Sequence, residues 1–127
     1  MRVIGCVAAL GEEGVSTFAA NLAFALAADG QRSVLVDWNA ACPWLTEALA
    51  PHQRTGLQDL ASGEASLAEA AWVDPATGLR FIGQSRGPAS RRVPPGAAAA
   101  RAVLARLREG HDIVVLDLPP GLLEINA

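Results

Sequence analysis

The stretch that decides the fold lies near the start of the chain and reads Val7-Ala8-Ala9-Leu10-Gly11-Glu12-Glu13-Gly14-Val15-Ser16-Thr17. An apolar run that begins at Val3 comes before it, and a long alanine-rich segment follows. A strand, a glycine-bearing turn, a hydroxyl pair and a helix in this order form a phosphate-binding arrangement, because N–H groups at the helix start face the anion. The stretch therefore predicts a strand, a phosphate-binding loop and a helix.

This loop departs from the usual P-loop pattern, G-x-x-x-x-G-K-[ST], at two of its four fixed positions. Gly14 and Ser16 match the pattern, whereas Ala9 replaces a glycine and Val15 replaces the lysine. The chain contains no lysine, and all 10 of its basic residues are arginines. A charge-assisted hydrogen bond contributes roughly 1.5 to 3 kcal/mol. We therefore expect the loop to hold a triphosphate weakly and to support its hydrolysis even less.

Apolar runs alternate with helical patterns along the rest of the chain, which predicts an α/β fold. The predicted strands cover residues 3–8, 33–37, 79–83 and 112–117. The predicted helices cover residues 16–28, 43–50, 56–61, 66–72 and 97–108. This alternation implies a doubly wound, mostly parallel sheet of about four strands. Ligands of such sheets bind beyond the carboxyl ends of the strands, which is where the Gly11 loop, Asp37, the Arg86 loop and Asp117 fall.

The sequence is interpreted as one P-loop NTPase-like domain over residues 1–127, incomplete at its C-terminus. The tail after Asp117 stops where a further helix is expected to begin, and four strands would leave one sheet edge unpaired. The chain thus corresponds to the front half of the fold. The first strand is expected to lie beside the strand that ends at Asp117.

Charge and composition exclude several classes of function. The net charge of −3 argues against a nucleic-acid partner, because such domains usually carry a basic face. No stretch approaches the ~20 apolar residues of a membrane span, so no direct membrane insertion is expected. The apolar opening is too short for an export signal, which predicts a cytoplasmic protein.

Cysteines and histidines show no metal-ligand spacing. Cys6 lies in an apolar run and Cys42 precedes a proline, and both are expected to be buried thiols outside any disulfide. His52 and His111 are isolated and are interpreted as surface or capping residues.

An ordered set of motifs resembles the MinD/ParA class of P-loop ATPases and, more specifically, the bacterial tyrosine kinases of exopolysaccharide export. The kinase loop P-G-E-G-K-S-T lies over residues 11–17, and the D-x-D motif over residues 37–39, with Asn39 in place of the second acid. The Walker B strand with its D-x-P-P ending resembles residues 111–120. Residues 19–23, 56–67 and 87–95 also follow the family pattern.

The resemblance implies a site that holds ATP and Mg²⁺. Its nucleotide-binding residues would be Gly11, Glu12, Glu13, Gly14, Val15, Ser16 and Thr17. Its magnesium ligands would be Ser16, Asp37 and Asp117, and the two aspartates would be the catalytic carboxylates of an active enzyme. Glu12 and Glu13 place two negative charges where the phosphates would lie, which again predicts weak binding.

The resemblance also implies action through a partner. The kinases carry a C-terminal tyrosine cluster as phosphate acceptor, whereas this chain has no tyrosine, which excludes autophosphorylation on tyrosine. We therefore expect a pseudoenzyme with a regulatory role, tied through a membrane-protein partner of polysaccharide export to the inner membrane. The resemblance is also compatible with a homo-oligomer.

Other interpretations stay open at the level of sequence. An active ATPase with an atypical loop is one, in which Arg86, Arg91 or Arg92 would replace the lysine charge. A dinucleotide-binding domain is another, since Asp37 lies about 20 residues past the loop, although the turn lacks G-x-G-x-x-G. Structural roles are a third: Asp37 and Asp117 as loop caps and Ser16 as a helix N-cap. The three tryptophans, Trp38, Trp44 and Trp72, are most simply packing residues.

Overall fold

The computed structural model describes residues 2–6, 13–86 and 94–119. Its strands are β1 (Arg2–Cys6), β2 (Ser33–Asp37), β3 (Ala71–Val73), β4 (Arg80–Ile82) and β5 (Ile113–Asp117). Its helices are α1 (Glu13–Ala28), α2 (Trp44–Leu49), α3 (Leu57–Ser62), α4 (Leu67–Ala70) and α5 (Ala97–Gly110). The predicted loop residues before Glu13 and the tail after Pro119 lie outside these ranges.

The described strands form one sheet in the order β1-β5-β2-β4-β3. All pairs are parallel except β3 with β4. Every residue of β2 and β5 is buried, as expected for apolar strands covered on both faces of a parallel sheet. The predicted α/β fold with a mostly parallel sheet is confirmed, and so is the pairing of the first strand with the strand that ends at Asp117.

Helices cover both faces of the sheet, because alternate strand residues point to opposite sides. Leu35 and Val115 pack on one face against α1 and α2, while Val34 and Val114 pack on the other against α3 and α5. Helix α1 approaches its face closely through a stripe of small residues at helical spacing, namely Ala19, Ala23 and Ala27. The sheet is therefore doubly wound, as predicted.

The predicted helix over residues 66–72 is wrong beyond Ala70, where β3 begins. A capping box between Ser66 and Glu69 fixes the short helix before it. The strand then turns back through Asp74, whose carboxylate accepts hydrogen bonds from the Thr77 amide and hydroxyl. Gly78 completes the turn at φ +78°. The turn joins β3 to β4 as a hairpin, so the described residues form five strands and not the four that were predicted.

His111 caps the C-terminus of α5, so the capping role predicted for it is confirmed, but it is buried and not a surface residue. Its Nδ1–H donates to the Leu107 carbonyl at 2.8 Å, and its Nε2 faces the Arg80 guanidinium at 3.2 Å. Burial, with the nearby arginine, lowers the pKa of His111. Cys42 is half-buried rather than buried.

None of the described helices combines the length and hydropathy needed to cross a bilayer.

Candidate functional site

Three residues predicted from the sequence meet at the carboxyl edge of the sheet. Asp37 ends β2, Asp117 ends the neighbouring β5, and the two are partners in the strand register. Ser16, in the first turns of α1, donates its hydroxyl to Asp117 Oδ2 at 2.8 Å. All three side chains are at most 3% exposed. A hydroxyl and two carboxylates thus share one buried corner.

Ser16 reaches this corner because it continues the buried stripe of α1. It lies three residues before Ala19, on the helix face that packs on the sheet, and that face ends beside β5. The alternative role of Ser16 as a helix N-cap is wrong, because α1 already begins at Glu13. Thr17, the next residue, is exposed on the outer face.

Asp37 is completely buried and accepts three hydrogen bonds. Asn39 N–H donates to Oδ1 at 3.1 Å, while the amide and the hydroxyl of Thr46 donate to Oδ2 at 3.1 and 2.7 Å. Burial raises the pKa of Asp37 to about 6, and the Asp117 carboxylate adds a smaller rise, while the hydrogen bonds oppose both. The carboxylate therefore holds the loop after β2, as the capping interpretation suggested, and still carries a charge in most molecules at neutral pH.

The sequence did not single out two buried polar neighbours of Asp37, Thr46 and Gln84. The backbone N–H of Gln84 donates to Thr46 Oγ1 at 2.9 Å, and its side-chain Nε2 donates to the main-chain carbonyl of Asp37 at 2.7 Å. Both side chains are buried. The signal that pointed to Gln84 was its place directly after a strand, at the same sheet edge as Asp37. Thr46 gave only the weaker signal of a hydroxyl in a short predicted helix, next to the apolar Leu45.

The oxygen atoms of this corner fit a magnesium ion that also binds water and phosphates better than a metal ion coordinated by protein side chains alone. Among the described residues, no group of three or more histidine, cysteine or acidic side chains could hold a metal ion. Mg²⁺ prefers oxygen ligands and usually binds one or two carboxylates together with water and the substrate phosphates. Ser16, Asp37 and Asp117 offer a hydroxyl and carboxylates of this kind. When bound, Mg²⁺ would neutralise phosphate charge at this edge.

The remaining predicted nucleotide contacts are only partly described. Gly11 and Glu12 lie outside the described residues, and Glu13 and Gly14 are seen only as backbone in the first turn of α1. Val15 is half-buried and packs against the core of the α1 face. It therefore presents an apolar side chain where the P-loop lysine would stand.

The Arg86 side chain contacts α2 and the residue after it. Its guanidinium donates to the carbonyls of Thr46 and Ala50 at 3.3 and 3.2 Å and pairs with Glu47 at 3.3 Å. These carbonyls lie in and just after α2, where a cation complements the helix dipole. Arg86 is thus committed to α2, and the other two candidate arginines, 91 and 92, lie outside the described residues.

A polar cleft of about 570 Å³ opens elsewhere at the same side of the molecule. It is lined by polar and charged residues that include neither Ser16, Asp37 nor Asp117: Arg54, Thr55, Gln58, Asp59, Ser62, Glu64, Ser85 and Arg86. The chemistry of the motifs lies in the carboxylate corner and not in this cleft, although Gln58 bonds to Gln84 and so joins the two.

Comparison with known proteins finds a relative by sequence and several solved structures of similar fold. No protein-family model matches the chain. It is 38% identical over 121 residues to the succinoglycan biosynthesis transport protein ExoP of Rhizobium meliloti (strain 1021), a match over 92% of this chain and 15% of ExoP. The BceF tyrosine kinase domain superposes with a TM-score of 0.72 and 29% identity, over 95% of this chain and 48% of that one.

The septum site-determining protein MinD from Pyrococcus horikoshii, solved with Mg-ADP, superposes with a TM-score of 0.81 and 23% identity. That match covers 96% of this chain and 51% of MinD. The chain therefore spans about half of the solved structures and 15% of ExoP.

Proposed function

We propose that the chain binds Mg-ATP weakly and acts through a partner. The premise is that it has the fold of the MinD/ParA class of P-loop ATPases and is similar to the tyrosine kinase domains of exopolysaccharide production. The observation that carries the proposal is the buried bond from Ser16 to Asp117 beside Asp37. A hydroxyl and two carboxylates at the carboxyl edge of a parallel sheet suit a magnesium ion shared with phosphates.

The helix that begins at Glu13 supports phosphate binding at the same edge. Its first N–H groups and its dipole attract an anion without any lysine. Val15 argues for weak binding, since its half-buried side chain packs against the core and offers no charge. We therefore propose a site that keeps the oxygen ligands for magnesium but lacks the lysine of the P-loop pattern.

The partner role follows from the relatives and from composition. ExoP is a transport protein of succinoglycan biosynthesis, and BceF is a tyrosine kinase. This chain has no tyrosine to phosphorylate. We propose that it regulates polysaccharide export as a pseudoenzyme, bound to a membrane-protein partner at the inner membrane, and that it assembles with copies of itself.

Restoring the lysine tests the nucleotide site. Val15→Lys should strengthen binding of Mg-ATP at least about tenfold in titration calorimetry, because it adds a charge-assisted bond to the phosphates. Val15→Met is the matched control, since it lengthens the side chain without adding charge, and it should leave the affinity unchanged. Equal affinities for Val15→Lys and Val15→Met would contradict the proposed phosphate site.

Hydrolysis of radiolabelled ATP separates a regulatory domain from an active ATPase. We expect the purified chain to turn over no faster than its Ser16→Ala variant, which lacks the hydroxyl for magnesium. Turnover well above that of Ser16→Ala would favour an active ATPase with an atypical loop.

The strand order speaks against a dinucleotide-binding domain. In that fold the first two strands are neighbours, whereas here β5 lies between β1 and β2. NADH fluorescence should accordingly stay unchanged on addition of the protein, and a clear change would revive this function.

A further inference from the structure

Thr46 and Gln84 surround the Asp37 carboxylate from two separate parts of the fold. Thr46 lies on α2, and Gln84 follows β4, so the contacts bring together residues up to 47 positions apart in sequence. Thr46 Oγ1 donates to Asp37 and in turn accepts from the Gln84 amide. Gln84 Nε2 donates to the main-chain carbonyl of Asp37. Each of the three side chains is at most 2% exposed, so water does not compete for these bonds.

We propose, building on the nucleotide site proposed above, that Thr46 and Gln84 are positioning residues that hold the Asp37 carboxylate so that Oδ1 keeps an acceptor site for a metal ion or its water. A carboxylate offers about four acceptor sites. Thr46 occupies Oδ2 with two donors, and Asn39 places a single donor on Oδ1. The remaining acceptor capacity therefore lies on Oδ1, where a magnesium ion or one of its water molecules would bind.

The segment after β4 keeps Thr46 itself in place. Gly83 packs so closely that a Cβ there would lie 2.9 Å from Thr46 Oγ1. The Arg86 guanidinium donates to the Thr46 carbonyl at 3.3 Å. Gln84 supplies the amide between them. Thr46 is thus held by three residues of one segment, which makes its hydroxyl a rigid donor to Asp37.

The first test uses the nucleotide-free protein. Thr46→Val keeps the side-chain shape and removes the hydroxyl, so the carboxylate loses its shortest hydrogen bond. The NMR signal of the Asn39 amide proton, which reports the bond to Oδ1, should move toward the position of an unbonded amide, and Thr46→Ser should restore it. An Asn39 signal that is identical in the wild type and in Thr46→Val overturns the inference.

The second test measures metal dependence in the Val15→Lys background, where binding is strong enough to compare. We expect Thr46→Val to lower ATP affinity in the presence of Mg²⁺ roughly tenfold, as loss of a bond to a charged group does. Affinity in EDTA should stay unchanged, because the loop and helix dipole do not depend on Asp37. A loss that is equal with and without Mg²⁺ overturns the inference, since it indicates a structural role alone.

A second variant and a separate control keep the outcomes distinct. Gln84→Met serves if Thr46→Val proves too unstable to study. It removes the side-chain donor but keeps the backbone N–H of residue 84, and it should lower the ATP affinity in the presence of Mg²⁺ by a smaller factor. Should Val15→Lys alone fail to bind Mg-ATP, the proposed function is contradicted. The Asn39 signal then still decides whether Thr46 fixes the carboxylate.

Discussion

The Asp37 carboxylate is fully buried between two strands and a helix, and its proton is bound more tightly in the folded chain than in the unfolded one. Because the folded pKa is raised from 3.8 to about 6, this residue contributes stability below pH 4 that is lost as the pH rises toward 6. The size of this loss is about 3 kcal/mol, taken from 1.36 kcal/mol per pKa unit.

The pH dependence of unfolding checks this residue directly. Between pH 4 and pH 6.5, the unfolding free energy of the wild type should fall relative to that of Asp37→Asn by up to about 3 kcal/mol, because the amide does not titrate. Urea unfolding at several pH values gives both curves, and the comparison cancels groups common to both proteins. A constant difference between the two proteins would contradict the raised pKa.

At this scale, sequence reasoning found the residues that follow a strand or a glycine turn and missed those that depend on distant contacts. Asp37 and Asp117 each end an apolar run, and Ser16 follows Gly14, so their place at one edge could be inferred. Thr46 and Gln84 meet across 38 positions of sequence. No local pattern encodes that meeting, because it depends on where β4 delivers the chain.

Among the elements, α3 is placed by a close approach of main chain to main chain. The Leu57 amide donates to the Gly83 carbonyl at 2.7 Å, and Gly56 leaves room for that contact. A Cβ on Gly56 would collide with the Gly83 carbonyl oxygen and would lie 2.8 Å from Gln84 backbone carbon. Since both partners are backbone, neither can turn away.

Gly56→Ala should therefore destabilise the protein by about 3 kcal/mol, at the upper end of overpacking effects. Gly96→Ala is the matched control, because Gly96 also precedes a helix but has nothing within 4 Å of a new Cβ. It should cost less than about 1 kcal/mol, as a change of N-cap residue does. Thermal unfolding of both variants decides the point, and similar losses would refute the packing argument.

Helices and long strands followed from the sequence, whereas β3 did not. Residues 66–70 carry a capping box that favours a helix, and the apolar pattern simply continues to Trp72. Three residues of strand gain their stability from pairing with Arg80–Ile82, which is tertiary and not local. The Asp74 to Gly78 turn was the one local signal of this hairpin.

The whole molecule depends on a core divided by the sheet. Phe81 is completely buried on the α1 face, while Phe18 is 60% exposed on the outside of α1. Phe81→Ala should lower the unfolding free energy by about 3 to 5 kcal/mol, since it removes contacts and leaves a cavity. Phe18→Ala should change it by no more than about 0.5 kcal/mol. Urea unfolding of the pair tests this, and comparable losses would mean that the two faces are wrongly assigned.

The alternation of strands and helices was enough to predict the class of fold, but periodicity alone could not give the order of strands. The expected place of β1 beside β5 is confirmed by their pairing, but the rest of the strand order was not predicted. Neither the strand order nor the antiparallel edge strand β3 could be predicted from the alternation.

The strand order has a consequence for synthesis on the ribosome. β5 is the last described strand to be translated, yet it lies between β1 and β2 and pairs with both. Until residues 113–117 leave the exit tunnel, the two earlier strands lack the strand that pairs with the backbone groups along their facing edges. Nascent chains halted before Ile113 should therefore recruit chaperones or aggregate, and release of five further residues should end that exposure.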